Sequence, residues 1–104
     1  LTNADVIAID QDPLGQQARR IWKQGELEIW ARPLKGGDHA VVLFNRSAMP
    51  AGISVDWDQL NLPAGLKADV KDLWSKKVSR RIQGRYSGTV APHGVLMVRI
   101  TPVP

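Results

Sequence analysis

The sequence predicts an all-β fold, an antiparallel β-sandwich of about seven to eight strands, preceded by a short N-terminal helix. From about residue 19 onward, short runs rich in Val, Ile, Leu and Trp are separated by Gly, Pro, Asn, Asp and Ser. Short strands at this spacing are typical of sandwiches and barrels. The length of 104 residues allows one domain and excludes a complete (β/α)8 barrel, which needs about 250 residues.

The predicted helix lies at the start of the chain. Thr2 or Asn3 supplies an N-cap, and residues 4–9 are mostly apolar. Asp12-Pro13 ends the helix, because a residue that precedes proline disfavours the α conformation. A helix this short is marginally stable in water, so it needs a surface to pack on.

Seven of the runs are predicted as strands. They are Arg20 to Lys23, Leu27 to Arg32, His39 to Asn45, Ile53 to Trp57, Lys67 to Trp74, Tyr86 to Val90 and Val95 to Thr101. A single helical turn is predicted between Asp58 and Pro63.

The first hairpin has a predicted register. A three-residue loop over residues 24–26, with Gly25 left-handed, places Ile21 opposite Ile29 on the core side. A two-residue loop would mix the two faces, because a slip of one residue exchanges them. The face turned away from the core then holds two tryptophans and three charged residues: Trp22, Trp30, Arg20, Arg32 and Glu28.

The four tryptophans are the best candidates for binding. Trp57 and Trp74 are in phase with apolar neighbours, so both are predicted to lie in the core. Trp22 and Trp30 are predicted to be exposed together, and exposed paired aromatic residues mark an interface. The interface is with another domain or subunit, or with a ligand, since flat rings stack on sugars.

No catalytic residue is expected. A glycosidase needs two carboxylates flanking one bond, about 5–5.5 Å apart in retaining enzymes. The candidate pairs are Asp10 with Asp12, Asp56 with Asp58, and Asp69 with Asp72. Asp10 and Asp12 flank a helix end. Asp56 and Asp58 lie at a strand end, where aspartate commonly forms turns. Asp69 and Asp72 point to opposite faces of a strand.

Neither a metal nor a cofactor is expected. The chain has no cysteine, and its two histidines, His39 and His93, have no partner at metal-ligand spacing. His93 is predicted to be a turn residue. No glycine pattern suited to phosphate binding is present.

A net charge of +4 could indicate a protein that binds nucleic acid. The densest basic run, Lys76 to Arg81 followed by Arg85, is interpreted as a solvated loop or strand face, so no nucleic-acid partner is expected. No apolar stretch reaches 18 residues, so no membrane span is expected either.

Several stretches, taken in order, resemble one known family. Residues 5–15 read Asp-Val-Ile-Ala-Ile-Asp-Gln-Asp-Pro-Leu-Gly, and residues 28–34 and 40–46 carry Glu-x-Trp-x-Arg-Pro-Leu and Ala-Val-Val-Leu-Phe-Asn-Arg. Asp-Leu-Trp at 72–74 and the run over 90–102 follow. They resemble melibiase-type α-galactosidases of glycoside hydrolase family 27: the end of the catalytic barrel, and then the C-terminal β-sandwich. Asp10 stands where the family commonly has Asn.

The resemblance implies two parts. Residues 1–17 would be the end of the catalytic barrel, with its last helix and a connecting loop, and residues 18–104 the C-terminal sandwich. The family's two catalytic aspartates lie on barrel strands upstream of residue 5, so α-galactoside hydrolysis with retention would belong to the barrel, and galactosides would bind only there. The chain would then be a fragment that begins within the last barrel helix.

The resemblance therefore implies a non-catalytic domain that packs on the barrel of the same polypeptide and stabilises it. Separated from the barrel, the chain is expected to self-associate through the surface that the barrel would cover. Two alternatives stay open at this point. One is a carbohydrate-binding module that uses the exposed tryptophans, and the other is a small basic barrel that binds nucleic acid through residues 76–85.

Overall fold

Eight strands form two antiparallel sheets in the computed structural model, which describes residues 14–15 and 17–104. The strands are β1 (Arg19–Gln24), β2 (Leu27–Pro33), β3 (His39–Asn45), β4 (Ala51–Asp56), β5 (Lys67–Asp72), β6 (Val78–Gln83), β7 (Arg85–Val90) and β8 (Gly94–Val103). Short 3-10 helices occupy Lys35–Gly37 and Trp57–Leu60. The predicted N-terminal helix, with Asp10 and Asp12, lies outside the described residues.

The sandwich consists of a six-stranded sheet and a two-stranded sheet. The large sheet has the order β1-β2-β3-β8-β5-β6, and the small sheet pairs β4 with β7. The predicted antiparallel sandwich is therefore confirmed. The strand beyond the seven predicted ones is β6, an edge strand that carries part of the basic run and is mostly exposed.

The core lies between the two sheets. Alternate residues of the central strands point into it, so Ile29, Leu43 and Val98 are fully buried. The small sheet contributes Ile53 and Val55 from the opposite side. Burial of these side chains is the main term that stabilises the sandwich.

Trp57 is the largest residue in the core, as predicted, and is completely buried. It starts the 3-10 helix Trp57–Leu60, one residue before the predicted helical turn, and Asp56 precedes it as the N-cap. The indole Nε1–H of Trp57 donates to the Leu66 carbonyl at 2.7 Å. This bond satisfies the polar group of a ring that is otherwise surrounded by apolar residues.

The predicted register of the first hairpin is wrong. Gln24 pairs with Leu27 across a two-residue loop, and a β-bulge at residue 21 shifts the register, so that Trp22 faces Ile29 and Arg20 faces Trp30. Ile21 and Trp22 both pack against the core as a result. A bulge inserts an unpaired residue that alternation of residue types does not reveal. Trp22 and Trp30 therefore lie on opposite faces of the sheet.

The prediction for Trp74 is also wrong. Its side chain is 43% exposed, and the neighbouring Leu73 is buried instead. Strand β5 ends at Asp72, where the carboxylate accepts hydrogen bonds from the backbone N–H groups of Trp74 and Ser75 at 2.8 and 3.2 Å. The chain turns there, so the alternation of the strand does not extend to residue 74.

Candidate functional site

One face of the large sheet points away from the small sheet, and we call it the outer face. Trp30 of β2, Val42 of β3 and Met97 of β8 lie side by side in one row across three neighbouring strands. The adjacent row holds Phe44 and Val95. The outer face of the central strands comprises Glu28, Trp30, Arg32, Ala40, Val42, Phe44, Val95, Met97 and Arg99.

The outer face is apolar where an outward-facing sheet is usually polar. Strand β3 carries apolar residues on both sides, with Val41 and Leu43 toward the core and Val42 and Phe44 on the outer face. Strands that are apolar on both sides belong to sheets covered on both sides. The outer face therefore has the composition of a surface that another layer of protein covers.

The outward face of the small sheet gives the contrast. It consists of small or polar residues, among them Ser54, Ser87 and Thr89, all exposed. The Ser54 and Ser87 hydroxyls are 2.6 Å apart and hydrogen-bonded. This face suits water, so the two outward faces of the sandwich differ in kind.

Two loops cover only part of the outer face. Leu34, after β2, and Leu73, after β5, are buried against Ala40, with Met97 packed beside them. Val95 remains 43% exposed and Val78, on the same face of β6, is 42% exposed. The exposed Val95 therefore lies on the Phe44 side of this cluster, whereas the exposed Val78 lies on β6, beyond Arg99 and Lys71.

A polar network is set into the outer face around Glu28, whose side chain is buried. The carboxylate accepts a hydrogen bond from Trp30 Nε1 at 2.9 Å and another from Arg46 Nε at 3.0 Å. The Arg46 guanidinium also lies 5.0 Å from the centre of the Phe44 ring, within range of a cation–π contact. The hydrogen bond from Trp30, followed by that from Arg46, lowers the pKa of Glu28.

Arg32 lies on the same face but, unlike Arg46, it has no acidic partner there among the described residues. Its Nε–H is buried and has no hydrogen-bond partner within the described residues. Nearby Arg99 is paired with Asp38 at 2.8 Å, and Asp38 also accepts from the Thr101 hydroxyl at 3.0 Å. A buried guanidinium N–H without an acceptor costs free energy, so its position calls for an acceptor from beyond the described residues.

The structure brings together most, but not all, of the predicted contact residues. Arg20, Glu28, Trp30 and Arg32 share the outer face, whereas Trp22 lies on the core side. The prediction missed the apolar members Val42, Phe44, Val95 and Met97. The unbroken apolar run in β3 was the signal that could have identified the first two.

The other candidate residues have structural roles. Asp69 Oδ1 accepts the backbone N–H of Arg81 at 2.9 Å, and Asp56 is paired with Arg85 at 2.8 Å. His93 adopts a positive φ of 53° in the turn before β8, and its backbone N–H donates to the Ser47 carbonyl. No group of three metal-ligating side chains occurs among residues 14–15 and 17–104.

Two further observations concern the described part of the chain. No helix in it is long and apolar enough to cross a membrane. The basic run is exposed on and around β6, where Arg80 approaches Asp69 at 3.5 Å. Ion pairs at exposed positions of this kind contribute little to stability.

Comparison with known proteins identifies the family. The family model described as the alpha galactosidase C-terminal beta sandwich domain matches residues 24–100. The chain belongs to this family. The resemblance to α-galactosidases of glycoside hydrolase family 27 is confirmed.

The α-galactosidase C-terminal domain is similar to part of much longer proteins. An α-galactosidase of Coffea arabica is 38% identical over 102 residues, covering 98% of this chain and 27% of that protein. An α-N-acetylgalactosaminidase of Gallus gallus is 35% identical over 106 residues, covering 98% and 26%. α-Galactosidase I from Mortierella vinacea superposes with a TM-score of 0.88 at 29% identity, covering 94% of this chain and 26% of that one.

The chain thus spans about a quarter of the length of these relatives. In its α-galactosidase homologues, this C-terminal domain is one part of a larger protein that also has a catalytic domain.

Proposed function

We propose that this chain acts as the non-catalytic C-terminal domain of an α-galactosidase that hydrolyses terminal α-galactosides from oligosaccharides and glycoconjugates. Its role is to pack on the catalytic barrel of the same polypeptide and stabilise it. The observation that supports this most directly is the family match over residues 24–100 in a chain that spans a quarter of its relatives.

Under this proposal the chain has the two parts that the resemblance implies. Residues 1–17 form the end of the barrel and the connection, and residues 18–104 form the supporting sandwich. The sandwich has its own core between two sheets, so it can act as a folded unit. Its carboxylates are engaged in turns, caps and ion pairs, which supports a structural rather than a catalytic role for them.

A carbohydrate-binding module is less well supported. That alternative depended on Trp22 and Trp30 forming one platform, and the bulge in β1 places them on opposite faces of the sheet. Family membership also favours the α-galactosidase domain.

The test uses the complete polypeptide that contains this chain. We expect it to hydrolyse a chromogenic α-galactoside, and we expect the 104-residue chain alone to show no turnover. The control variants in the complete polypeptide are Asp56→Asn and Asp69→Asn, which we expect to leave kcat unchanged because these carboxylates only hold local structure. Turnover by the chain alone that disappears in either variant would overturn the proposal.

The supporting role has its own readout. Removing the sandwich from the complete polypeptide is expected to lower the thermal transition of the catalytic part, because apolar surface between the two domains becomes exposed. An unchanged transition temperature after removal would contradict the supporting role while leaving the assignment of catalysis to the barrel intact.

A further inference from the structure

The outer face of the large sheet is the surface through which this domain meets the catalytic domain, we infer, and Arg32 donates there to an acidic or carbonyl oxygen of that domain. This inference rests on the proposed function. It adds which face of the sandwich is used and which chemistry the opposing surface must present.

The two outward faces of the sandwich differ in their exposed apolar side chains. On the outer face, Val95 is exposed by 43% in the row of Phe44, and Val78 is exposed by 42% on β6, where Lys71 and Arg99 separate it from the central apolar residues. The outward face of the small sheet has no large apolar side chain among its exposed residues. Exposed large apolar side chains mark an interaction site, and of the two outward faces only the outer face carries them among the described residues.

The partner that we expect to cover the outer face is the catalytic domain of the same polypeptide. In the homologues this domain is joined to a catalytic domain that accounts for most of the chain. The polypeptide enters the sandwich at Arg19, the first residue of β1, and β1 is an edge strand of the large sheet. A domain joined at that point is tethered at the edge of the large sheet, so the outer face lies within its reach at a high effective concentration.

The arginines near the outer face differ in whether they have an acidic partner in the described part of the chain. Arg46 is paired with Glu28, and Arg99 is paired with Asp38, so these two cations are already balanced within the chain. Arg32 Nε–H is buried without an acceptor among residues 14–15 and 17–104. The central strands therefore present apolar residues beside a buried cationic donor, and Arg20 of β1 adds positive charge on the same face, which fits an apolar partner surface carrying acidic or carbonyl acceptors.

The experiment measures thiol labelling in the complete polypeptide, with labelled peptides identified by mass. The chain has no cysteine, so single cysteines report their own positions. Val95→Cys and Val78→Cys probe the outer face. Thr89→Cys, on an exposed position of β7, and Met49→Cys, 70% exposed in a loop, are the matched controls.

We expect Cys substitutions at 95 and 78 to be labelled roughly tenfold more slowly than those at 89 and 49, each rate being divided by the rate in urea. Equal ratios at all four positions would overturn the inference. The proposed function would survive that result if the polypeptide hydrolyses α-galactosides. Protection at 95 that falls on dilution would also overturn the inference, since it would assign the face to contact between copies.

Arg32 has a separate test. We expect Arg32→Met to lower the thermal transition of the complete polypeptide and to accelerate labelling at position 95. The control is Arg81→Met, which removes an exposed guanidinium from β6. Because Nε of Arg32 has no partner within the sandwich, a merely structural role would leave labelling at 95 unchanged. That result would refute the assignment of Arg32.

Discussion

Trp30 donates its indole N–H to the Glu28 carboxylate, two residues earlier on the same face of β2, at 2.9 Å. The bond orients a large ring on the outward side of a sheet, where alternation alone would predict a solvated residue. Arg46 completes the arrangement by binding the second carboxylate oxygen at 3.0 Å. The polar part of the outer face is therefore held by hydrogen bonds within the chain.

Replacing Glu28 with glutamine is expected to lower the free energy of unfolding at neutral pH, because the charged acceptor shared by Trp30 and Arg46 is lost. The lowered pKa of Glu28 means that its contribution is complete above the ordinary carboxyl value of about 4.3 and is lost as the pH falls through the folded-state pKa. Urea unfolding at several pH values measures this. Glu26→Gln, in the exposed hairpin turn, is the control. A difference that persists unchanged in strong acid would contradict the assignment.

Trp57 and Trp74 should respond very differently to substitution. Trp57→Phe removes the hydrogen bond to the Leu66 carbonyl, which keeps the longer bond from the Gly84 N–H at 3.3 Å, and it shrinks a completely buried ring, so it is expected to cost about 1–3 kcal/mol. Trp74→Phe, at an exposed position, should change stability by less than about 0.5 kcal/mol. Chemical denaturation followed by circular dichroism compares the two. Equal losses would show that the exposed position of Trp74 is wrong.

Asn45 is predicted to tolerate no carboxylate. Its buried Nδ2 donates to the carbonyls of Met49 and Val90 at 2.7 and 3.0 Å, and its Oδ1 accepts from Ser47. In Asn45→Asp an unpaired buried charge faces two carbonyl oxygens, which should destabilise the domain by about 3 kcal/mol or more at neutral pH.

The loss in Asn45→Asp should shrink in acid, because a protonated carboxyl can donate one of the missing bonds. Ser47→Ala serves as the control, with an expected loss of about 1 kcal/mol. A variant as stable as the parent would mean that the Asn45 amide is not buried as described.

His39 should make stability depend on pH. Burial lowers the pKa of His39, although nearby Asp38 and a hydrogen bond with the Gly37 backbone oppose the change, and its buried Nδ1 has no hydrogen-bond partner among the described residues. The unfolded chain then binds a proton before the folded one does. Stability is complete above about pH 6.5 and is lost as the pH falls toward the folded-state pKa. The transition temperature of His39→Gln should fall less than that of the parent between about pH 7.5 and pH 5. Parallel curves would refute this role.

The chain without its catalytic domain is expected to self-associate through the outer face. Sedimentation velocity at increasing concentration should show dimers or larger species, since Val95 and Val78 are exposed on this face. Val95→Glu should restore the monomer, whereas Met49→Glu, in the loop between β3 and β4, should not. A parent chain that stays monomeric at high concentration would count against the prediction.

Some features could be predicted because they depend on local pattern. The alternation in β2 identifies Ile29 as a core residue, and the phase of Ile53 and Val55 extends to Trp57. Both predictions hold because a residue's face follows from its parity within one strand. The prediction that Trp74 lies in the core failed because the strand stops at Asp72, where the chain turns and the carboxylate accepts a hydrogen bond from the Trp74 N–H.

The register of the first hairpin could not be predicted, because the bulge at residue 21 leaves no trace in the alternation of residue types. The bulge moves Trp22 to the core and separates it from Trp30. The candidate surface then had to be rebuilt from strands far apart in sequence, since Val42 and Met97 become neighbours only when β8 pairs with β3.

The sequence by itself determined the all-β class, the family resemblance and most of the core, because these follow from local periodicity and from motifs in a fixed order. Only the tertiary structure decided which side chains share the outer face and that Arg32 Nε–H is buried there with no acceptor in the part of the chain that the structure describes. The physical reason is that strand register and burial arise from pairing between distant segments, and a single substituted or inserted residue can exchange the two faces of a strand.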